Sequence, residues 1–66
     1  MLRMELEQEA DGRWIAEVPE LPGVLVYGPS RDEARSRAVI LALRALADRI
    51  EHGEAVPDIE RLFEAA

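Results

Sequence analysis

Cysteine and lysine are both missing from this sequence, and histidine occurs once. Without cysteine there is no disulfide and no thiolate metal site. A single imidazole, His52, is too few for an ordinary metal centre. No run of apolar residues approaches the 18 or so needed to cross a membrane. The opening Met1-Leu2-Arg3-Met4-Glu5 lacks the apolar run of a signal peptide, so a cytoplasmic protein without a membrane partner is expected. The chain has 66 residues, enough for one domain spanning 1–66. A domain of this size buries only about 60% of the surface that its unfolded chain exposes. Small scaffolds usually add disulfides, a metal or a partner subunit. With the first two excluded, a homodimer or tetramer is the expected stabiliser.

Charge of one sign is also scarce. Eight basic residues, all arginine, face 14 acidic ones, for a formal net charge of −6. A nucleic-acid backbone would be repelled by this balance, whereas a basic protein would be steered toward it. The same charge would also simply keep a small domain soluble.

The residues that are present form a readable order. Leu2, Met4 and Leu6 alternate with Arg3, Glu5 and Glu7, the pattern of a half-buried strand over 2–9. Asp11-Gly12 is a hairpin signal, because glycine accepts positive φ without a steric cost. Arg13 to Val18 reads as the returning strand, with Trp14, Ala16 and Val18 on one face and Arg13, Ile15 and Glu17 on the other. Pro19-Glu20-Leu21-Pro22-Gly23 interrupts the ladder, since proline has no N–H to donate. Val24 to Tyr27 reads as a third strand, and its apolar run predicts burial on both faces.

Gly28-Pro29 ends that strand, and Ser30 with Glu33 forms the signature of a capping box. A helix is expected from Arg31 to about His52, stopped by Gly53. Its large apolar residues Val39, Leu43, Leu46 and Ile50 make one broad face, assigned here to the sheet. Ala34, Ala38, Leu41 and Ala45 make a second stripe. Alanines there could be plain helix formers on an exposed side. Alternatively, the small side chains admit a neighbouring helix, a reading favoured by Ile40 and Leu41, which otherwise have no home. The second reading makes Ala34, Ala38, Leu41 and Ala45 an oligomer interface. Beyond Gly53, residues 57–63 fit either a short helix, with Ile59, Leu62 and Phe63 on one side, or a fourth strand on the sheet edge. Phe63 is expected to be buried, in the core or at the oligomer interface. The fold class is therefore α+β, a three-stranded antiparallel sheet packed on one long helix.

Catalytic and cofactor chemistry is hard to assemble from these residues. Glu5, Glu7 and Glu9 share one strand face, which is ordinarily a solvated one. Glu17 and Glu20 flank the proline segment without a cleft to split their pKa values. Ser30 is a cap with no base beside it. The glycines are turn residues and lack the phosphate-loop signature. No enzyme activity, cofactor or metal site is expected.

Trp14-Ile15-Ala16-Glu17-Val18-Pro19-Glu20-Leu21-Pro22-Gly23-Val24, followed by Gly28-Pro29-Ser30-Arg31-Asp32-Glu33-Ala34, resembles the HicB-like antitoxin family. The resemblance covers residues 1 to about 55. It departs from the family pattern at Glu20, where Asp is usual, and at Pro29-Ser30, which replace Asp-Thr. It implies a degenerate ribonuclease-H-like fold, with a strand after the helix, that neutralises a small basic mRNA-cleaving toxin. Pro19, Leu21, Pro22, Gly23, Gly28, Ser30, Glu33 and Ala34 would then be scaffold residues. Trp14, Glu17 and Glu20 are the candidate toxin contacts. The operator-binding domain of many family members does not fit in the dozen residues after Gly53, so no direct nucleic-acid binding is expected. The other reading is a structural or small-molecule-binding oligomer of the same fold, without a toxin.

Overall fold

A computed structural model of the protein describes residues 2–56. The expectations for residues 57–63, Phe63 included, lie outside the described residues. Three strands, β1 (Glu5–Gln8), β2 (Trp14–Glu17) and β3 (Leu25–Gly28), precede one helix, α1 (Arg31–Glu51). The strands form an antiparallel sheet in the order β1-β2-β3, and α1 lies against one face. This is the α+β architecture expected from the sequence, with the strands slightly shorter than their alternation patterns.

Local chemistry accounts for each connection. Between β1 and β2, Gly12 N donates to Glu9 O and Glu9 N donates to Arg13 O. Gly12 sits at φ 93°, so a tight turn closes through a left-handed residue that few side chains would tolerate. Asp11 braces this loop, accepting from Arg13 N at 3.0 Å and pairing with the Arg13 guanidinium at 2.7 Å. The backbone bond from Arg13, with its side chain, holds the Asp11 carboxyl below its ordinary pKa.

The proline segment is two turns in series. Leu21 N donates to Val18 O, and Val24 N donates to Leu21 O. Each turn thus has a proline, Pro19 or Pro22, in its second position, where the fixed φ suits and no donor is needed. Gly23 follows Pro22 at φ 91°, as a type II turn requires. Val18 N then closes onto Val24 O. The result is a loop that drives Leu21 into the core beside Val18, Val24, Ala42 and Leu46.

The helix starts on Ser30, whose hydroxyl accepts from Glu33 N at 3.1 Å. Among the described residues only this half of the capping box forms, because the Glu33 carboxylate turns toward Arg37 at 3.8 Å. Replacing Ser30 with alanine is expected to cost about 1 kcal/mol. In a domain this small, that should lower Tm by about 4–8 °C in a circular-dichroism melt. The helix ends in a Schellman motif: Gly53, at φ 76°, donates to Ile50 O, and Glu54 N reaches Arg49 O.

The face that α1 presents to the sheet differs from the one expected. Ala34, Ala38, Ala42 and Leu46 are the buried helix residues. Leu43 and Ile50, assigned to the sheet by their size, are 55% and 50% exposed, and Val39 is half-buried. The supposed oligomer stripe is the true inner face: Ala34 and Ala38 are wholly buried on Ala16, and Leu41 and Ala45 pack onto the cluster around Leu21. The reason is proximity. Gly28 and Ala16 on the sheet let the helix come so close that only alanine fits between them. Ala34 and Ala38 are therefore closed off inside the subunit, while Leu41 and Ala45 are half-buried.

The third strand is also not buried on both faces. Val24 and Gly28 are buried, but Leu25 and Tyr27 are 44% and 40% exposed. One helix covers only one side of a sheet, so alternate residues of every strand look outward.

Candidate functional site

The uncovered side of the sheet is the most distinctive surface. Antiparallel register places Glu7, Ile15 and Tyr27 in one row across the three strands, and Glu5, Glu17 and Leu25 in the next. These residues alternate with Leu6, Ala16 and Val26, which pack toward the helix. Ile15, Leu25 and Tyr27 thus form an apolar strip with Glu5, Glu7 and Glu17 along its side. The Arg13 guanidinium lies 4.6 Å from the centre of the Tyr27 ring and marks the opposite end. Among the described residues no element lies on this face.

Glu5 and Glu17 are direct cross-strand partners. Like charges placed opposite each other work against the sheet by a few tenths of a kcal/mol to about 1 kcal/mol. None of the ion pairs among the described residues uses Glu5, Glu7 or Glu17; those pairs join Arg3 to Glu20, Arg13 to Asp11, Arg37 to Glu33 and His52 to Asp48. The face therefore combines exposed apolar area with mutually repelling carboxylates.

The edge beside it is partly closed. Val18 N bonds to Val24 O, so the alternation of the ladder turns the peptide groups of Leu25 and Tyr27 away from β2. Arg37 reaches back from the helix and donates to Tyr27 O at 2.8 Å. A charged side chain on an edge carbonyl discourages addition of a further strand.

The three expected partner contacts do not share a surface. Glu17 lies on the outer face. Trp14 is half-buried on the helix side, against Ala16, Ala34 and Ala38. Glu20 sits in the proline loop and holds Arg3, with Nε to Oε2 at 3.1 Å. Its pKa is lowered by its own backbone N–H and by that arginine. Strand parity separates Trp14 from Glu17, a signal already present in the sequence. The pairing of Glu5 with Glu17 needed the register. Of the motif residues, Leu21 and Ala34 are buried, Pro19, Pro22 and Gly23 form the turns, and Gly28 meets the helix.

Among the described residues, no group of three or more His, Cys, Asp or Glu side chains is placed to hold a metal ion. No helix among them is long and apolar enough to cross a membrane. No protein-family model, no curated protein and no solved structure matches this chain.

Proposed function

We propose that this domain is a protein-binding module that holds a small basic protein against the outer face of its sheet, as an antitoxin of the HicB-like kind would hold its mRNA-cleaving toxin. The observation that carries the reading is the Glu5–Glu17 pair beside the strip of Ile15, Leu25 and Tyr27. Arginine or lysine from a partner would remove the repulsion between the two carboxylates, and apolar partner residues would cover the strip. Net charge of −6 steers such a partner from a distance.

Purification of the full chain from its native host is expected to bring down a small basic protein in fixed stoichiometry. The double variant E5K/E17K should weaken that complex by about tenfold per reversed charge, or about 1.4 kcal/mol each. It should leave the fold intact, because both side chains are exposed. The isolated partner should degrade mRNA, and the unaltered chain should stop it. Recovery of no basic partner, or equal binding by E5K/E17K, would refute the reading.

A further inference from the structure

The two edges of the sheet are not alike. On β3, Arg37 caps the Tyr27 carbonyl. On β1, Glu9 N donates to Arg13 O and Gly12 N donates to Glu9 O, so the peptide groups of Glu9 face β2. The alternation of an antiparallel ladder then turns Glu7 and Glu5 toward β2, and the N–H and C=O of Leu6 and Gln8 outward. Among the described residues nothing bonds to these outward groups. β1 holds no proline or lysine to guard its edge, and its only charges are the carboxylates of Glu5 and Glu7.

Strand parity gives this edge two different sides. Glu5 and Glu7 stand on the outer face, whereas Leu6 packs toward the helix. On the helix side, an open groove of about 280 Å³ lies between the chain leading into β1 and the flank of α1. Leu2, Met4, Val39 and Leu43 are among its lining residues, together with Arg35. The helix leaves this side open because Arg37 ties it toward β3, and its contacts with β1 are the sparsest.

We propose that an extended segment of the basic partner adds to the sheet along β1, with arginine or lysine on its outer side and apolar residues on its inner side. The inference rests on the reading above and names the element by which the partner is held. Residues opposite Glu5 and Glu7 share their side of the sheet, where opposite charges on neighbouring strands attract. Residues opposite Leu6 and Gln8 bond to the outward peptide groups and turn toward the helix flank, where Arg35 disfavours a cation and the groove lining favours apolar side chains. A second copy fits this edge poorly, because β1 laid antiparallel on itself about Leu6 sets Glu5 against Glu7 on both sides. The added strand is continuous with the outer face, since Glu5 and Glu7 border both.

Amide hydrogen exchange on the full-length chain tests this directly. In the chain alone, the N–H groups of Leu6 and Gln8 should exchange fast, while that of Glu7, bonded within the sheet, exchanges slowly. A peptide of alternating lysine and valine should protect Leu6 and Gln8, and one of alternating glutamate and valine should not. Gln8→Pro removes an outward donor and no bond to β2, so its melt should match that of Gln8→Ala; both lose the side-chain bond to Gly12 O. Gln8→Pro should weaken the lysine–valine peptide by about tenfold, and Gln8→Ala by no more than about twofold. Protection of Leu6 and Gln8 in the chain alone would show the edge already taken, by its own residues or, where it grows with concentration, by a second copy, and would overturn the proposal. Equal protection by both peptides, or none by either, would also overturn it. The reading of the outer face fails separately. A native basic partner that E5K/E17K releases, but that leaves Leu6 and Gln8 unprotected, would keep that reading and sink the added strand. Peptide protection without any native basic partner would refute that reading and keep β1 as a site for basic strands.

Discussion

Gly28→Ala is expected to remove most of this domain's stability, although it adds a single methyl group. A Cβ built at Gly28 would lie 2.5 Å from Ala34 N and 2.8 Å from Ala34 Cα, with the Ala34 Cβ at 3.1 Å. The first two are backbone atoms, so no rotamer change relieves the contact. Ala34 N is also the donor to Ser30 O at 3.0 Å, in the first turn of α1. Moving Ala34 away breaks that turn; moving β3 away disturbs the pairing of Gly28 with Trp14. Overpacking of this kind costs about 1–3 kcal/mol, sometimes more, and a domain below about 70 residues has only about 3–5 kcal/mol in all. With two backbone contacts below 3 Å placing the cost at the upper end of that range, Tm should fall by about 10 °C or more, and Gly28→Val should abolish the cooperative melt. Because the clash is with backbone, adding Ala34→Gly should restore little. A melt of Gly28→Ala within 2 °C or so of the parent, or full rescue by Ala34→Gly, would contradict the close approach of strand and helix.

That same approach explains what could be read from the sequence and what could not. Strand alternation, Asp11-Gly12, the paired prolines, Ser30 and Gly53 are local signals, and each works in the fold as its chemistry requires. The rotation of the helix is not local. Weighting positions by apolar size puts Val39, Leu43 and Ile50 on the sheet. The actual selection is for smallness, imposed by Ala16 and Gly28 on the opposing surface. Alanines at 34, 38 and 42, spaced by one helical turn, carried that signal, but it gains meaning only once the strand residues facing them are known. The acidic outer face was legible in part. Glu5 and Glu7 are visibly on a solvent side, yet their proximity to Glu17, Leu25 and Tyr27 follows from register alone.

Which side of the helix meets the sheet can be decided by placing one carboxylate on each. Ala38 is wholly buried between Ala16 and Ala34, with only apolar side chains in its cluster. An aspartate there has no partner for its charge. It must either stay ionised in a closed apolar seam or take up a proton, and both choices cost several kcal/mol. A domain with about 3–5 kcal/mol to lose cannot absorb that, so Ala38→Asp should give no cooperative transition and a far-ultraviolet spectrum of an unfolded chain. Ile40→Asp, two residues along, should melt within about 1 kcal/mol of the parent, because its side chain is half in solvent already. Leu41→Asp should resemble the first, since Leu41 packs on the cluster around Leu21 and Leu46. Had Leu41 formed a subunit interface, the same change would separate subunits while leaving each one folded. Circular-dichroism melts of the three variants, with sedimentation of any that stay folded, separate the two arrangements: a folded monomeric Leu41→Asp together with a folded Ala38→Asp would mean that the helix lies on the sheet by its other side.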